Sequence, residues 1–321
     1  MSRIITGFKP TGSLQLGNYV GAIRPLVQAQ DGAIAFVADL HAMTVPHDPR
    51  LLRERTAEVA KLLLACGVDA ERCTLYVQSQ VTAHSTLHYL LECVATDSEA
   101  RRMIQYKEKG GPGSRLSLLT YPVLMASDIL LFDIDEVPVG NDQRQHLELA
   151  RDLAVRFNAT YGETFVVPRA THPPYAARLA DLSDPSAKMG KTNASGAGVI
   201  FLLDEPDVVR RKIMRAVTDA ETEVRYDPDT KPGVSNLLEI LAACTGGDPK
   251  TEAEGITGYS RLKATVADAV IALLAPIQER FRTVEADEVL RAGAAKARVT
   301  AYATVARAMT AIGLDPEGLR G

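Results

Sequence analysis

The sequence predicts an α/β protein, a doubly wound parallel sheet followed by a helical C-terminal domain, and three observations carry the prediction. Short apolar segments at 3–8 (RIITGF), 33–39 (AIAFVAD) and 73–78 (CTLYVQ) are separated by long stretches of helical periodicity, the pattern of buried parallel strands joined by crossover helices. Helix punctuation sits at the right places between them: Asp48-Pro49 pairs an N-cap with a first-turn proline, and Gly67 stands where the run from Pro49 to Cys66 ends. From Asp204 onward almost every segment is helical in pattern, as in DVVRRKIMRAV, NLLEILAAC and ATVADAVIALLAPIQERF, broken at Pro206, Pro228, Pro232 and Gly246-Gly247. At 321 residues the chain is long for one core. The expected units are a sheet domain over 1–188 and a helical domain over 189–285, with residues 286–321 as a helix packing back on the first.

The elements follow in order. The first strand runs into GFKPTGSLQLGN (7–18), where a turn precedes a helix opened by Leu16-Gly17-Asn18. Further on, Val137-Pro138-Val139-Gly140 reads as a strand ending in a turn, and Asp142-Gln143 opens a helix carrying Leu147, Leu149, Leu153 and Ala154 to near Asn158. NASGAG (193–198) reads as a loop. In a sheet of this kind, ligands bind outside the carboxyl ends of the strands.

Composition bounds the classes of function. No apolar run approaches the roughly 18 residues of a membrane span, and no cleavable leader is legible, so a cytoplasmic protein without membrane contact is expected. Cys66, Cys73, Cys93 and Cys244 show no metal-ligand spacing and read as free thiols. The net charge of −4 argues weakly against a nucleic-acid partner, because phosphate binding depends on where cations cluster. Two clusters stand out: Arg101-Arg102 with Lys107 and Lys109, and Arg210-Arg211-Lys212 with Arg215. The chain has no tryptophan, where usual frequencies give about three.

Two motifs carry chemistry. A helix amino terminus offers N–H groups and a partial positive charge, and Gly17 allows a ligand close to the backbone, so 7–18 suits a nucleotide or phosphate. Lys188-Met189-Gly190-Lys191-Thr192 places two lysines three apart, able to converge on one polyphosphate with charge-assisted contacts of about 1.5–3 kcal/mol each.

Together P-T-G-x-L-x-L-G-N and K-M-G-K-T resemble the H-I-G-H and K-M-S-K-S signatures of class I aminoacyl-tRNA synthetases. ADLHAMT (38–44), MIQYKEK (103–109), TYPVLMASDILLF (120–132), VPVGNDQRQHLELARDLAVRFN (137–158), AVTD (216–219), RYD (225–227) and KPGVSNLL (231–238) narrow the resemblance to the bacterial tryptophanyl-tRNA synthetases, over nearly the whole chain.

The resemblance implies a Rossmann-like catalytic domain, the substrates tryptophan, ATP and tRNA(Trp), Mg²⁺ held mainly by the ATP phosphates rather than by protein ligands, and a homodimer in which tRNA spans the subunits. Asp128 corresponds to the carboxylate that accepts the indole N–H. A site built on such a bond rejects an analogue lacking the N–H by roughly 10⁴–10⁵; the plain alternative for Asp128 is a helix cap. Ile5, Gly7, Met125, Val137 and Val139 line the indole slot, His41 flanks it from a loop, and Tyr121 and Gln143 hold the amino group. Lys188 and Lys191 follow the departing pyrophosphate, with Lys107 and Lys109 as a second clamp. Lys9, Pro10, Thr11, Gly17, Asn18, Gly140, Asp142, Met189, Gly190 and Thr192 belong to the ATP site, Asp142 or Gln143 reaching a ribose or the amino acid. Neither step of the implied reaction needs a protein nucleophile.

The chain departs from the family at Lys9, where most members carry Gln, at Gly190 for the middle Ser of K-M-S-K-S, and at Thr192 for its last Ser. Lys9 brings to a fixed position a charge that offsets what Gly190 removes. With the absence of tryptophan, these departures suggest an auxiliary form that tolerates a tryptophan mimic such as indolmycin, since a tryptophan-free enzyme is still made when tryptophan charging fails. The rival readings are a tyrosine-specific synthetase and a non-charging regulatory paralogue that binds tRNA or a protein.

Overall fold

The computed structural model describes residues 4–138, 144–171, 179–190 and 196–314. Strands β1 (Ile5–Phe8), β2 (Ile34–Val37) and β3 (Thr74–Val77) form a parallel sheet in that order, with Gly7 opposite Phe36 and Phe36 opposite Tyr76. All three lie inside the apolar segments expected to form them. Alternation along the strands sends Phe8, Ala35, Val37, Leu75 and Val77 to one core and Ile5, Ile34, Phe36 and Tyr76 to another, so both faces are covered. A second parallel pair joins β4 (Glu136–Pro138) to β5 (Arg169–Thr171). Sequence pattern did not announce β5, whose residues are mostly exposed and lack a strand's alternation.

The first helical stretch has three pieces, α1 (Leu16–Asn18), a π-helical turn over Tyr19–Ile23 and α2 (Arg24–Gln28). After β2 come the short α3 (Asp39–Ala42) and α4 (Pro49–Ala65). Asp48 caps α4 as expected, its carboxylate accepting from the N–H groups of Arg50 (2.7 Å) and Leu51 (3.3 Å), and Gly67 follows with φ +106°. Then come α5 (Ala83–Glu92), α6 (Asp97–Arg101), α7 (Ile104–Lys109), α8 (Leu116–Leu130) and α9 (Arg144–Tyr161). The expected opening of α9 at Asp142-Gln143 lies outside the described residues.

The remainder is helical: α10 (Pro206–Met214), α11 (Pro232–Thr245), α12 (Pro249–Glu252), α13 (Tyr259–Thr283) and α14 (Asp287–Ala311). Pro206 and Pro232 open their helices, and Gly246 closes α11 in the left-handed conformation (φ +80°). One continuous core joins β1–β3 and α4 to α10, α11 and α13. Arg280 of α13 donates from Nε to the carbonyl of Ala65 (2.6 Å), satisfying an orphan acceptor at the end of α4.

Helix α14 packs on β3 and α5. Its Gly293 lies so close to β3 that a Cβ there would stand 1.8 Å from the carbonyl oxygen of Leu75. Among the described residues β3 is an outer strand of its sheet, and α14 covers its exposed edge.

Candidate active site

Because β1, β2 and β3 are parallel, their carboxyl ends open on one side of the sheet, and each is followed by a polar residue: Lys9 after β1, His41 on α3 after β2, Gln78 after β3. The last two converge on Asp128. This residue sits within α8, a helix buried on nearly every side, and is only 3 % exposed. Its Oδ2 accepts from His41 Nε2 (2.8 Å); its Oδ1 accepts from Gln78 Nε2 and from His84 Nδ1, both at 2.7 Å. A carboxylate isolated in such surroundings would be prohibitively costly. Burial is the largest influence and pushes its pKa up, but the hydrogen bonds and charges of His41 and His84 together outweigh it and hold Asp128 at about 2. Asp128 is therefore an ionised, buried acceptor and not a helix cap.

The spacing on α8 explains the rest of the slot. Tyr121, Met125 and Asp128 fall on one helical face, two turns or about 10 Å from end to end. The Tyr121 hydroxyl meets His146 Nε2 at 2.6 Å; when it donates there, its oxygen keeps acceptor capacity. Burial pushes the Tyr121 hydroxyl well above its ordinary pKa, the Glu108 carboxylate adding to the effect, so it stays protonated. Met125 is half-buried between the two polar ends, and Ile5 and Val137 are buried in the core around β1 and β4. Gly7 has a specific reason to lack a side chain: a Cβ would stand 2.7 Å from the Phe36 ring, which lies 5.7 Å from His84, centroid to centroid. His41 belongs to a short helix rather than a loop, its ring edge-on to Tyr121 at 6.2 Å.

The nucleotide end differs from expectation in one respect. The helix amino terminus was expected to offer open N–H groups, but these are already satisfied. Leu16 N–H donates to the Ile200 carbonyl (2.8 Å), Gly17 N–H to Gln15 Oε1, and Asn18 N–H to the Gln15 carbonyl (2.9 Å). Gln15, which sequence reasoning passed over, is 3 % exposed and caps the helix reciprocally with Asn18, whose Oδ1 accepts from Gln15 N–H (3.1 Å). Its Nε2 donates to the Met189 carbonyl at 2.8 Å, joining the two signature stretches directly. Met189 turns its side chain into the core, 1 % exposed, and its N–H donates to Leu179 (2.9 Å). What Met189 offers the site is anchorage, with Lys188 exposed beside it.

Lys9 Nζ donates to Thr44 Oγ1 (3.2 Å), whose hydroxyl in turn donates to the His41 carbonyl (3.0 Å), tying Lys9 to α3, the helix that carries His41. Pro10 is buried, Thr11 is exposed, and Gly190 is half-buried. Lys107 is exposed on α7, which also carries Lys109. Val139, Gly140, Asp142, Gln143, Lys191 and Thr192 lie outside the described residues. Two members of the second basic cluster are engaged within the fold: Lys212 Nζ donates to Asp204 Oδ2 (2.6 Å) and the Val199 carbonyl (2.8 Å), and Arg210 pairs with Asp268 (2.6 Å), while Arg211 and Arg215 are exposed.

Sequence reasoning also missed Gln78, His84 and Tyr76. Gln78 closes the strand segment 73–78, and the rule that ligands sit at carboxyl strand ends points to it. Nothing in the sequence singles out His84, which reaches Asp128 from α5.

The fold and the site define a class of protein. The family model for class I tRNA synthetases of the tryptophan and tyrosine type matches residues 1–275, and the chain belongs to this family. Its relatives place it on the tryptophan branch, among bacterial tryptophanyl-tRNA synthetases. It is 56 % identical to tryptophan–tRNA ligase 1 of Streptomyces coelicolor, over 98 % of each chain, and 46 % identical to tryptophan–tRNA ligase 2 of Streptomyces avermitilis, over 98 % of this chain and 97 % of that one. The tryptophanyl-tRNA synthetase of Mycoplasma pneumoniae superposes with a TM-score of 0.91 at 35 % identity, each chain fully covered. That of Campylobacter jejuni, solved with ADP and tryptophan, superposes at 0.82 and 32 % identity, covering 97 % of this chain and all of the other.

Proposed function

We propose that the chain activates tryptophan with ATP and transfers it to tRNA(Trp). A carboxylate oxygen of tryptophan attacks the α-phosphorus, the bond to the bridging oxygen breaks, and pyrophosphate leaves; a hydroxyl of the terminal ribose of the tRNA then attacks the acyl carbon and AMP leaves. The observation that carries this reading is Asp128, an ionised acceptor at one end of a slot whose other end is Tyr121. The indole N–H donates to the acceptor capacity left on Oδ2, since a carboxylate has about four lone-pair positions and three donors are already in place. Met125 and Val137, with Val139, pack the ring; Tyr121 and Gln143 take the ammonium. Lys188 and Lys191, with Lys107 and Lys109, stabilise charge on the leaving pyrophosphate. Mg²⁺ would enter with ATP, held mainly by the nucleotide rather than by protein ligands, and would supply further offset of the phosphate charge beside these lysines. Gln15 keeps the two halves of the nucleotide site in register.

Exchange of pyrophosphate into ATP with each of the twenty amino acids tests this. Exchange with tryptophan alone is expected; exchange with tyrosine would support the tyrosine-specific reading, and exchange with none, in folded protein, the regulatory paralogue. A homodimer is expected in solution and is checked by light scattering. Within the described residues no helix is long and apolar enough to cross a membrane, in keeping with a cytoplasmic role.

A second reading rests on Lys9. Its bond to Thr44, and through Thr44 to the His41 carbonyl, supports an auxiliary enzyme retuned against tryptophan mimics. Lys9→Gln is expected to gain sensitivity to indolmycin with exchange activity retained; equal sensitivity removes the reading.

A further inference from the structure

His84 takes no part in the reaction as written, yet it is fully buried and its side chain is built into the site from both ring nitrogens. We propose that His84 is a positioning residue for substrate selection: it grips Oδ1 of Asp128 so that the carboxylate presents only acceptor lone pairs to the ligand ring, which makes a ring N–H obligatory. The inference rests on the reading of Asp128 as the indole acceptor and adds the residue that holds it to that task.

Three observations carry it. First, His84 and Gln78 hold Oδ1 from the interior, whereas among the described residues Oδ2 is reached only by His41, whose side chain keeps 12 % of its exposure. The grip on Oδ1 thus survives any shift of His41 as the ligand enters. Second, an ionised Asp128 requires a donor at Nδ1, and the far side of the ring is held as well, its Nε2 hydrogen-bonded to the Tyr76 hydroxyl at 2.9 Å. Tyr76 is itself completely buried, and burial and the Asp128 charge push its pKa well up, so it keeps its proton. Third, the imidazole is fixed by Phe36, Tyr76 and Phe132, at centroid distances of 5.7, 5.8 and 5.9 Å. The Ser127 hydroxyl ties the His84 carbonyl to α8 (2.8 Å), so backbone and ring are both registered against Asp128.

The consequence is chemical. A carboxylate held through Oδ1 by two interior donors is fixed in orientation, and those donors favour its charged form, so that Oδ2 faces the ligand as an acceptor. A ring with an N–H completes it; a ring with sulfur in that place leaves a buried anion facing a non-donor.

The test compares kcat/KM in pyrophosphate exchange for tryptophan and for the analogue with sulfur replacing the ring N–H, 3-benzothienylalanine, using the full chain. The wild-type preference for tryptophan is expected to exceed about 10²-fold. His84→Phe, which fits the aromatic surroundings but cannot donate, is expected to lose at least about tenfold of that preference through a higher KM for tryptophan, with kcat for the analogue little changed. His84→Asn, whose amide nitrogen stands near the place of Nδ1, is expected to retain it within about threefold; His84→Gln, whose amide lies nearer the place of Nε2, is not. If His84→Phe does not fold, the Asn and Gln variants decide, and equal preferences in those two overturn the proposal. A wild-type preference that survives in folded His84→Phe overturns it while leaving Asp128 in place. A wild-type preference near one overturns the assignment of Asp128 and this inference with it.

Discussion

Replacing Gln15 by alanine tests whether the two signature stretches are physically joined. The amide makes two bonds that water cannot readily replace, one accepting from Gly17 N–H and one donating to the Met189 carbonyl at 2.8 Å, and the residue is 3 % exposed. Losing an N-cap acceptor costs about 1 kcal/mol. Orphaning the carbonyl of Met189, itself 1 % exposed, costs about 1–3 kcal/mol. The backbone half of the cap, Gln15 N–H to Asn18 Oδ1, survives. The expected loss is therefore about 2–4 kcal/mol, or about 3–6 °C in thermal midpoint for a chain of this size. The assay is far-UV circular dichroism, because the protein contains no tryptophan to serve as an intrinsic probe. Gln15→Glu separates the two bonds: it keeps the acceptor for Gly17 but sets a carboxylate against the Met189 carbonyl, so the KM for ATP should rise while that for tryptophan stays. A Gln15→Ala midpoint within about 1 °C of wild type would refute the reasoning, since the carbonyl would then have found another donor at no cost.

Gly293→Ala gains about 1 kcal/mol of helix propensity, but a Cβ 1.8 Å from the Leu75 carbonyl oxygen forces α14 off β3 and costs about 1–3 kcal/mol. Faster hydrogen exchange confined to α14 and the edge of β3 is expected. Lys231 is 2 % exposed and meets Glu221 (2.6 Å), Tyr259 (2.9 Å) and Asp219 (3.3 Å). Lys231→Gln should lower the thermal midpoint more than Arg210→Gln, which breaks a pair between side chains 47 % and 67 % exposed. In acid, Asp128, held at about 2 against an ordinary 3.8, contributes on the order of 2 kcal/mol that is complete above about pH 4 and is lost as pH falls towards 2. Asp128→Asn should flatten that part of the stability profile between pH 5 and 2.5.

The strands were legible because β2 and β3 are buried at every position and therefore read as continuous apolar runs. β5 was not, since two exposed residues and a half-buried one carry no periodicity. The cap of α4 was legible because aspartate before proline has one dominant meaning; Gln15 was not, because glutamine is no preferred N-cap and its partner Met189 lies 174 positions away. Asp128 showed itself as a carboxylate in an apolar segment, but the donors that make it tolerable come from α3, α5 and the turn after β3. Only the folded chain brings His41, His84 and Gln78 to one carboxylate, so their shared task could not be read from any local pattern.

Lys212 and Asp128 differ in what they leave unspent. Lys212 has three protons and three destinations: the Val199 carbonyl, Asp204 Oδ2 and the Phe201 ring face, 4.8 Å from Nζ to the centroid. Nothing on Lys212 is left for a phosphate, and this lysine becomes part of the scaffold between α10 and the segment crossing Leu14–Leu16. Asp128 also collects three partners, but a carboxylate takes about four, and its open position is on Oδ2, the oxygen turned towards His41 and the carboxyl edge of the sheet. A buried charge with every valence filled holds a structure together. One with a single valence open can, on the proposed reading of Asp128, select what enters beside it, and the two interior donors on Oδ1 keep the remaining position in its direction.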